Sequence, residues 1–165
     1  MRSVLYVVMG VTGSGKSTVG AGLARALDVP FIDGDDLHPR QNVERMAAGV
    51  PLTDEDRRPW LLAIAARLRE AQGAGRGLVV ACSALKRSYR DLLRSGASDI
   101  RFVHLAGSRA LLAERMTQRR GHYMPPSLLD SQLNTLEEPS PDEDVWLCDI
   151  RQTPDAIVAD LVTRS

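Results

Sequence analysis

An apolar run, Val4-Leu5-Tyr6-Val7-Val8-Met9, gives way abruptly to Gly10-Val11-Thr12-Gly13-Ser14-Gly15-Lys16-Ser17-Thr18. Glycine loses more conformational freedom on folding than any other residue, so ordering Gly10, Gly13 and Gly15 must be offset by something the folded loop does. The spacing Gly10-x4-Gly15-Lys16-Ser17 is that of a phosphate-binding loop, whose backbone N–H groups turn inward around a polyphosphate because few side chains stand in the way. In such a loop Lys16 reaches the β- and γ-phosphates and Ser17 offers its hydroxyl to Mg²⁺. A helix beginning near Gly15 points its positive end at the same anion. Residues 3–9 read as a buried strand, and Val19, Leu23, Ala24 and Leu27 fall at helical spacing behind the loop. Strand, loop and helix in this order demand an α/β fold with nucleotide at the carboxyl end of the first strand.

The rest of the chain alternates in the same manner. Strands are expected at 3–9, 30–33, 77–82, 100–105 and 144–148, and helices near 16–27, 36–48, 57–72, 86–95, 108–119, 126–137 and 153–163. This order calls for a parallel sheet covered on both faces. At 165 residues the simplest organisation is one domain. Twenty-one basic residues balance twenty-one acidic ones, which argues against nucleic acid or an anionic membrane as partner and leaves room for a small charged metabolite. The apolar start is too short for a signal peptide or a membrane span, so a cytoplasmic location is expected. Cys82 and Cys148 form no C-x-x-C pair and suit small buried hydrophobes in a reducing compartment. Lys16 and Lys86 are the two lysines in a chain that otherwise uses arginine, which singles out Lys86 as a second position where a compact ammonium is wanted.

Two acidic stretches stand out, one where the second strand ends and one before the helix expected at 57. In Phe31-Ile32-Asp33-Gly34-Asp35-Asp36, three carboxylates repel one another unless they meet a cation or hydroxyl groups. Asp33 and Asp35 are expected to face the γ-phosphate, Asp36 to cap the next helix with Pro39 in its first turn, and Asp35 to position an acceptor hydroxyl. In Gly49-Val50-Pro51-Leu52-Thr53-Asp54-Glu55-Asp56-Arg57-Arg58-Pro59-Trp60, Asp56 is expected as the N-cap, with Pro59 in the donor-free first turn. Trp60, Leu61, Ile64 and Leu68 then form a buried stripe. Arg57 stands at that helix start, where it can receive a ligand carboxylate or pair with Asp54 or Asp56.

Together "DGDDLHP", Asn42, "GVPLTDEDRRPWL", "CSALKRSYRDLLR" and "GHYMPPSLLDSQLNTLEEP" resemble the gluconate kinase family, collinearly from the first strand to the final helix. The resemblance implies a nucleoside-monophosphate-kinase-like fold of three layers, with a five-stranded parallel sheet in the order 2-3-1-4-5 and a small lid at about residues 115–126. It also implies ATP and Mg²⁺ as cofactors, gluconate as substrate, 6-phosphogluconate as product and a homodimeric assembly. Carried onto this chain, Lys16, Asp35 and a lid arginine, Arg120, would act at the transferring phosphoryl group. Arg115 and Arg119 would contact ATP beside the phosphate loop. Asp35, Arg57, Lys86, Arg87, His122 and Gln132 would hold the sugar acid, and Ser17 would hold the metal, with Asp33 acting through water.

One departure from the general phosphate-loop pattern is that Leu78-Val79-Val80-Ala81-Cys82-Ser83 ends without a metal-linked aspartate. Shikimate kinases resemble this arrangement, which makes another small hydroxy acid the nearest alternative substrate. A non-catalytic ATP-binding module is the second alternative. A GTPase switch is disfavoured because neither N-K-x-D nor D-x-x-G occurs.

Overall fold

The computed structural model describes residues 4–117 and 126–165. Five parallel strands, β1 (Leu5–Met9), β2 (Phe31–Asp33), β3 (Leu78–Ala81), β4 (Ile100–Ala106) and β5 (Trp146–Asp149), form one sheet in the order 2-3-1-4-5. Helices α1 (Lys16–Leu27), α2 (Arg40–Ala47), α3 (Asp54–Gly73), α4 (Arg87–Arg94), α5 (Arg109–Thr117), α6 (Pro126–Thr135) and α7 (Pro154–Arg164) connect and cover them. The central strand β1 pairs with β3 on one side, Val7 opposite Val80, and with β4 on the other, Val7 opposite Phe102.

Side chains alternate across a strand, so β1 feeds two cores. Tyr6 and Val8 pack with Val19 and Leu23 of α1 and with Ile157 and Leu161 of α7. Leu5, Val7 and Met9 pack with Trp60, Leu61, Ile64 and Leu68 of α3 and with Tyr89 and Leu93 of α4. A strand buried on both faces has no polar alternation, which is why residues 4–9 read as a continuous apolar run. Because every strand runs the same way, the loops after β1, β2 and β3 open at one edge of the sheet.

Two helix starts depart from the sequence expectation. The helix expected at 57 begins at Asp54, because Thr53 is its N-cap and Asp56 is the third helical residue of a capping box. The Thr53 hydroxyl accepts from the Asp56 N–H at 3.1 Å, and the Asp56 carboxylate accepts from the Thr53 N–H at 3.0 Å. Pro59 therefore lies inside α3 rather than in its first turn, on an exposed side where the freed Glu55 carbonyl can be hydrated. The helix expected at 36–48 is divided. Residues Gly34–Leu37 form a 3₁₀ turn capped by Asp33, His38 is extended as the residue before a proline, and α2 starts at Arg40 without a side-chain cap. Asp36 therefore caps nothing.

A buried ion pair ties α4 to the 3₁₀ turn Pro141–Glu143 that precedes β5. Arg90 and Glu143 have side chains 0% and 1% exposed, with Nε donating at 2.7 Å to Oε1 and a terminal nitrogen at 3.1 Å to Oε2. Arg90 also donates to the carbonyls of Ala84, Leu85 and Glu137, which fixes the turn leading to Lys86. The Arg90 guanidinium, with help from Arg94 and the Ser140 N–H, holds the Glu143 carboxyl down at about 2. A depressed carboxyl contributes stability above its unfolded value of 4.5 and loses it as pH falls toward 2, a span equivalent to about 3 kcal/mol. Glu143→Gln should therefore destabilise the fold by about 3–5 kcal/mol in urea melts at pH 7, and by clearly less at pH 3. Equal losses at both pH values would show that the charge is not what matters.

Candidate active site

The phosphate loop is held open by its own backbone. Gly13 and Gly15 sit at φ 82° and 87°, a left-handed conformation that a side chain would strain, and Gly15 is the N-cap of α1. A Cβ on Gly13 would also come within 2.9 Å of the Leu112 carbonyl oxygen, so α5 lies directly against the loop. Lys16, Ser17 and Thr18 open α1, placing their N–H groups among the unpaired donors of a helix start. Thr12 and Ser14 are buried, and the Thr12 N–H donates at 2.6 Å to Gln132 Oε1 on α6.

The Ser17 hydroxyl donates at 2.9 Å to Asp33 Oδ2, linking the start of α1 to the end of β2. The other oxygen of Asp33 accepts from the Asp35 N–H at 3.1 Å, closing the 3₁₀ turn and presenting Asp35 on its exposed side. This turn is braced from α3, where Trp60 Nε1 donates at 2.7 Å to the Gly34 carbonyl. His38 stacks on Trp60 with ring centroids 4.1 Å apart. Buried Asn42 donates from Nδ2 to the Asp56 carbonyl at 2.8 Å and to His38 Nδ1 at 3.3 Å. Burial lowers the His38 pKa, so its ring is a neutral wall at physiological pH.

Arg57 and Lys86, from different elements, converge. Lys86 Nζ lies 3.0 and 3.1 Å from the two carboxylate oxygens of Asp54, and an Arg57 terminal nitrogen donates at 3.0 Å to the Tyr89 hydroxyl. The Tyr89 hydroxyl in turn donates to Asp54. Hydrogen bonds from Tyr89 and Lys86 hold the Asp54 carboxyl below its usual range, and Asp54 raises the Lys86 ammonium. Arg87 is engaged elsewhere: its guanidinium meets Asp142 at 2.6 Å and Ser140 at 2.8 Å. Gln132 likewise spends its carbonyl oxygen on the phosphate loop rather than leaving it for a hydroxyl.

Arg115 lies within α5 and donates to the Ile150 carbonyl after β5, so the helix reaches two residues past the expected start of the lid. Arg109, the first residue of α5, pairs with Asp130 at 2.5 Å and fastens α5 to α6. Arg119, Arg120 and His122 lie outside the described residues. Cys82, at the end of β3, is buried and its thiol is pushed up to about 12 by desolvation, which makes it a packing residue and not a nucleophile.

Sequence reasoning did not foresee Tyr89, His38 or the Arg90–Glu143 pair as parts of this region. Tyr89 and Arg90 sit next to each other on α4, and no short motif marks either. Their partners are 32 to 53 positions away in the chain.

Residues 5–139 match the family described as "AAA domain". The chain is 52% identical to the gluconokinase of Gluconobacter oxydans (strain 621H), an alignment covering 98% of this chain and 91% of the relative. It is 44% identical to the thermoresistant gluconokinase of Escherichia coli (strain K12), over 96% of this chain and 91% of the relative. Among solved structures, a gluconokinase from Sinorhizobium meliloti 1021 superposes with a TM-score of 0.86 at 49% identity, covering 97% of this chain and 90% of the other. Similarity at this level along nearly the whole chain, on a phosphate-loop fold with the sheet order found here, establishes that the chain belongs to the gluconokinase family.

Proposed function

We propose that this protein transfers the γ-phosphoryl group of ATP to the 6-hydroxyl of D-gluconate, giving 6-phospho-D-gluconate and ADP. The observation that carries the choice of substrate is the convergence of Arg57 and Lys86 on a single carboxylate position beside the open edge of the sheet. A neutral sugar offers these cations no charge in place of Asp54, whereas an aldonic acid supplies a carboxylate at one end and a primary hydroxyl at the other.

The chemistry assigned to each residue follows from its place. Transfer to an alcohol needs positioning and charge neutralisation more than covalent help from the protein. Asp35, exposed at the turn after β2, takes the proton of the 6-hydroxyl as the oxygen–phosphorus bond forms and the bond to the β–γ bridging oxygen breaks. Lys16 and the donors at the start of α1 hold the charge that moves onto the departing ADP. The lid arginines Arg115, Arg119 and Arg120 are assigned to ATP and the transferring group, and His122 to the sugar acid.

The hydroxyl of Ser17 and the carboxylate of Asp33, 2.9 Å apart, suit the hard oxygen-donor chemistry of Mg²⁺. Ser17 would bind the ion directly and Asp33 through a water. When bound, the ion neutralises phosphate charge.

Among the described residues no helix is long and apolar enough to cross a membrane. The two cysteines are both buried and free, which supports a reducing, cytoplasmic setting.

The test is Arg57→Ala. Loss of one charge-assisted contact should raise the KM for gluconate by about tenfold to a hundredfold while the KM for ATP hardly changes. An unaltered gluconate dependence would remove the carboxylate from this position.

A further inference from the structure

The donor set that would read the substrate's carboxylate is already filled by a carboxylate of the chain itself. Asp54 accepts from Lys86 Nζ with both oxygens, at 3.0 and 3.1 Å, and from the Tyr89 hydroxyl, while an Arg57 terminal nitrogen stands 4.0 Å from Oδ1. The donors are recessed, with Arg57 and Lys86 side chains 25% and 30% exposed, and the acceptor is the outermost member at 62%. Tyr89 cannot turn freely between roles. Its oxygen accepts from Arg57 at 3.0 Å, which directs its single hydrogen to the place where the carboxylate lies.

Asp54 begins α3 but is not its cap, and Glu55 and Asp56 also place negative charge in the first turn. The capping box of α3 is made by Thr53 and Asp56, and Asp56 has its own arginine, Arg45. Asp54 contributes no side-chain cap. Its partners are Lys86, Tyr89 and Arg57, all directed at one anion position.

We propose that Asp54 is an internal stand-in for the substrate carboxylate, a built-in competitor that the aldonate must displace. The proposal rests on the reading of Arg57 and Lys86 as the carboxylate site. An incoming aldonate exchanges one carboxylate for another, and Asp54 moves into the solvent it already faces. A neutral sugar has no anion to offer in exchange, so Asp54 keeps the cations and the sugar gains nothing at that end. The residue thus lowers affinity for carboxylate ligands by the cost of its own displacement and leaves ligands that do not take the cations unaffected. An exposed, multiply bonded ion pair resists displacement by a small factor, not by orders of magnitude.

The experiment measures initial rates against gluconate for the wild type, Asp54→Asn, Asp54→Ser and Arg57→Ala, with lactate as a competing carboxylate that has no distal hydroxyl to phosphorylate. Both Asp54 variants should lower the gluconate KM and raise kcat/KM by about threefold to tenfold, and lower the inhibition constant of lactate by a similar factor. A gain in kcat/KM cannot arise from misfolding, and two different side chains guard against an artefact of one. If Arg57→Ala raises the KM while the Asp54 variants leave it unchanged or raise it, Asp54 braces the cations and the proposal is overturned, with the carboxylate site intact. If Arg57→Ala has no effect on KM, the carboxylate site and the stand-in fall together.

Discussion

Lys16→Ala is expected to leave a folded protein whose turnover with gluconate is reduced by about a thousandfold or more. Lys16 is the first residue of α1, directly after the left-handed Gly15, so its backbone is fixed by the loop and not by its own side chain. Removing the ammonium should cost little stability, because Lys16 belongs to neither core cluster. It does remove the charge proposed above to act on the transferring group, and such donors in a site shielded from water are worth several kcal/mol. Circular dichroism and a thermal melt should match the wild type while the coupled ADP assay falls by that factor. Near-normal turnover would mean that this loop does not hold the transferring phosphate.

Asp35→Asn should be the second large effect, with kcat lowered by about a hundredfold to ten-thousandfold and the KM for ATP nearly unmoved. The amide keeps the size of the side chain and cannot take a proton. The turn should survive, because Asp33 caps it through the backbone N–H of residue 35, which the substitution retains. A parallel loss of ATP affinity would instead assign Asp35 to the metal. The split between the two aspartates is physical: Asp33 is bound to the Ser17 hydroxyl and to the turn, whereas among the described residues the Asp35 carboxylate has no hydrogen-bond partner and lies on the exposed side.

The loop from Gly10 to Thr18 was legible because all its determinants are local: an apolar strand, glycines at fixed offsets and a helix behind. The parallel sheet followed from the alternation of strands and helices, while its strand order came from family resemblance. The start of α3 was not legible in the same way. Asp56 has the side chain of an N-cap and is followed by Pro59, yet it turns back to the Thr53 N–H instead of capping forward, and Thr53 is the cap. Asp36 misled for a similar reason, since Asp33 had already closed the turn around Gly34 and the residue before Pro39 cannot stay helical.

Within the site, the sequence pointed to Arg57 and Lys86 individually, one as a cation at a helix start and the other as a rare lysine. It could not say that both would meet at Asp54 and Tyr89, because that meeting depends on α3 and α4 packing side by side on one face of the sheet. Gln132 shows the same limit in reverse. Its place on the helix after the lid suggested a substrate contact, and the fold brings it 120 positions back to the Thr12 N–H instead. Arg87 carries the right charge in the right loop, but the 3₁₀ turn at Pro141–Glu143 supplies Asp142 as its partner.

The identity of the small molecule that accepts phosphate decides the activity. The purified protein should be incubated with Mg²⁺, ATP and, separately, gluconate, glucose and shikimate, with ADP release measured alongside phosphorus NMR of the product. The expected result is ADP formation matched one to one by a phosphate monoester on the terminal carbon of gluconate, with glucose and shikimate near background. Equal rates with glucose, a phosphorylated shikimate, or nucleotide binding with no transfer to any of the three would contradict it.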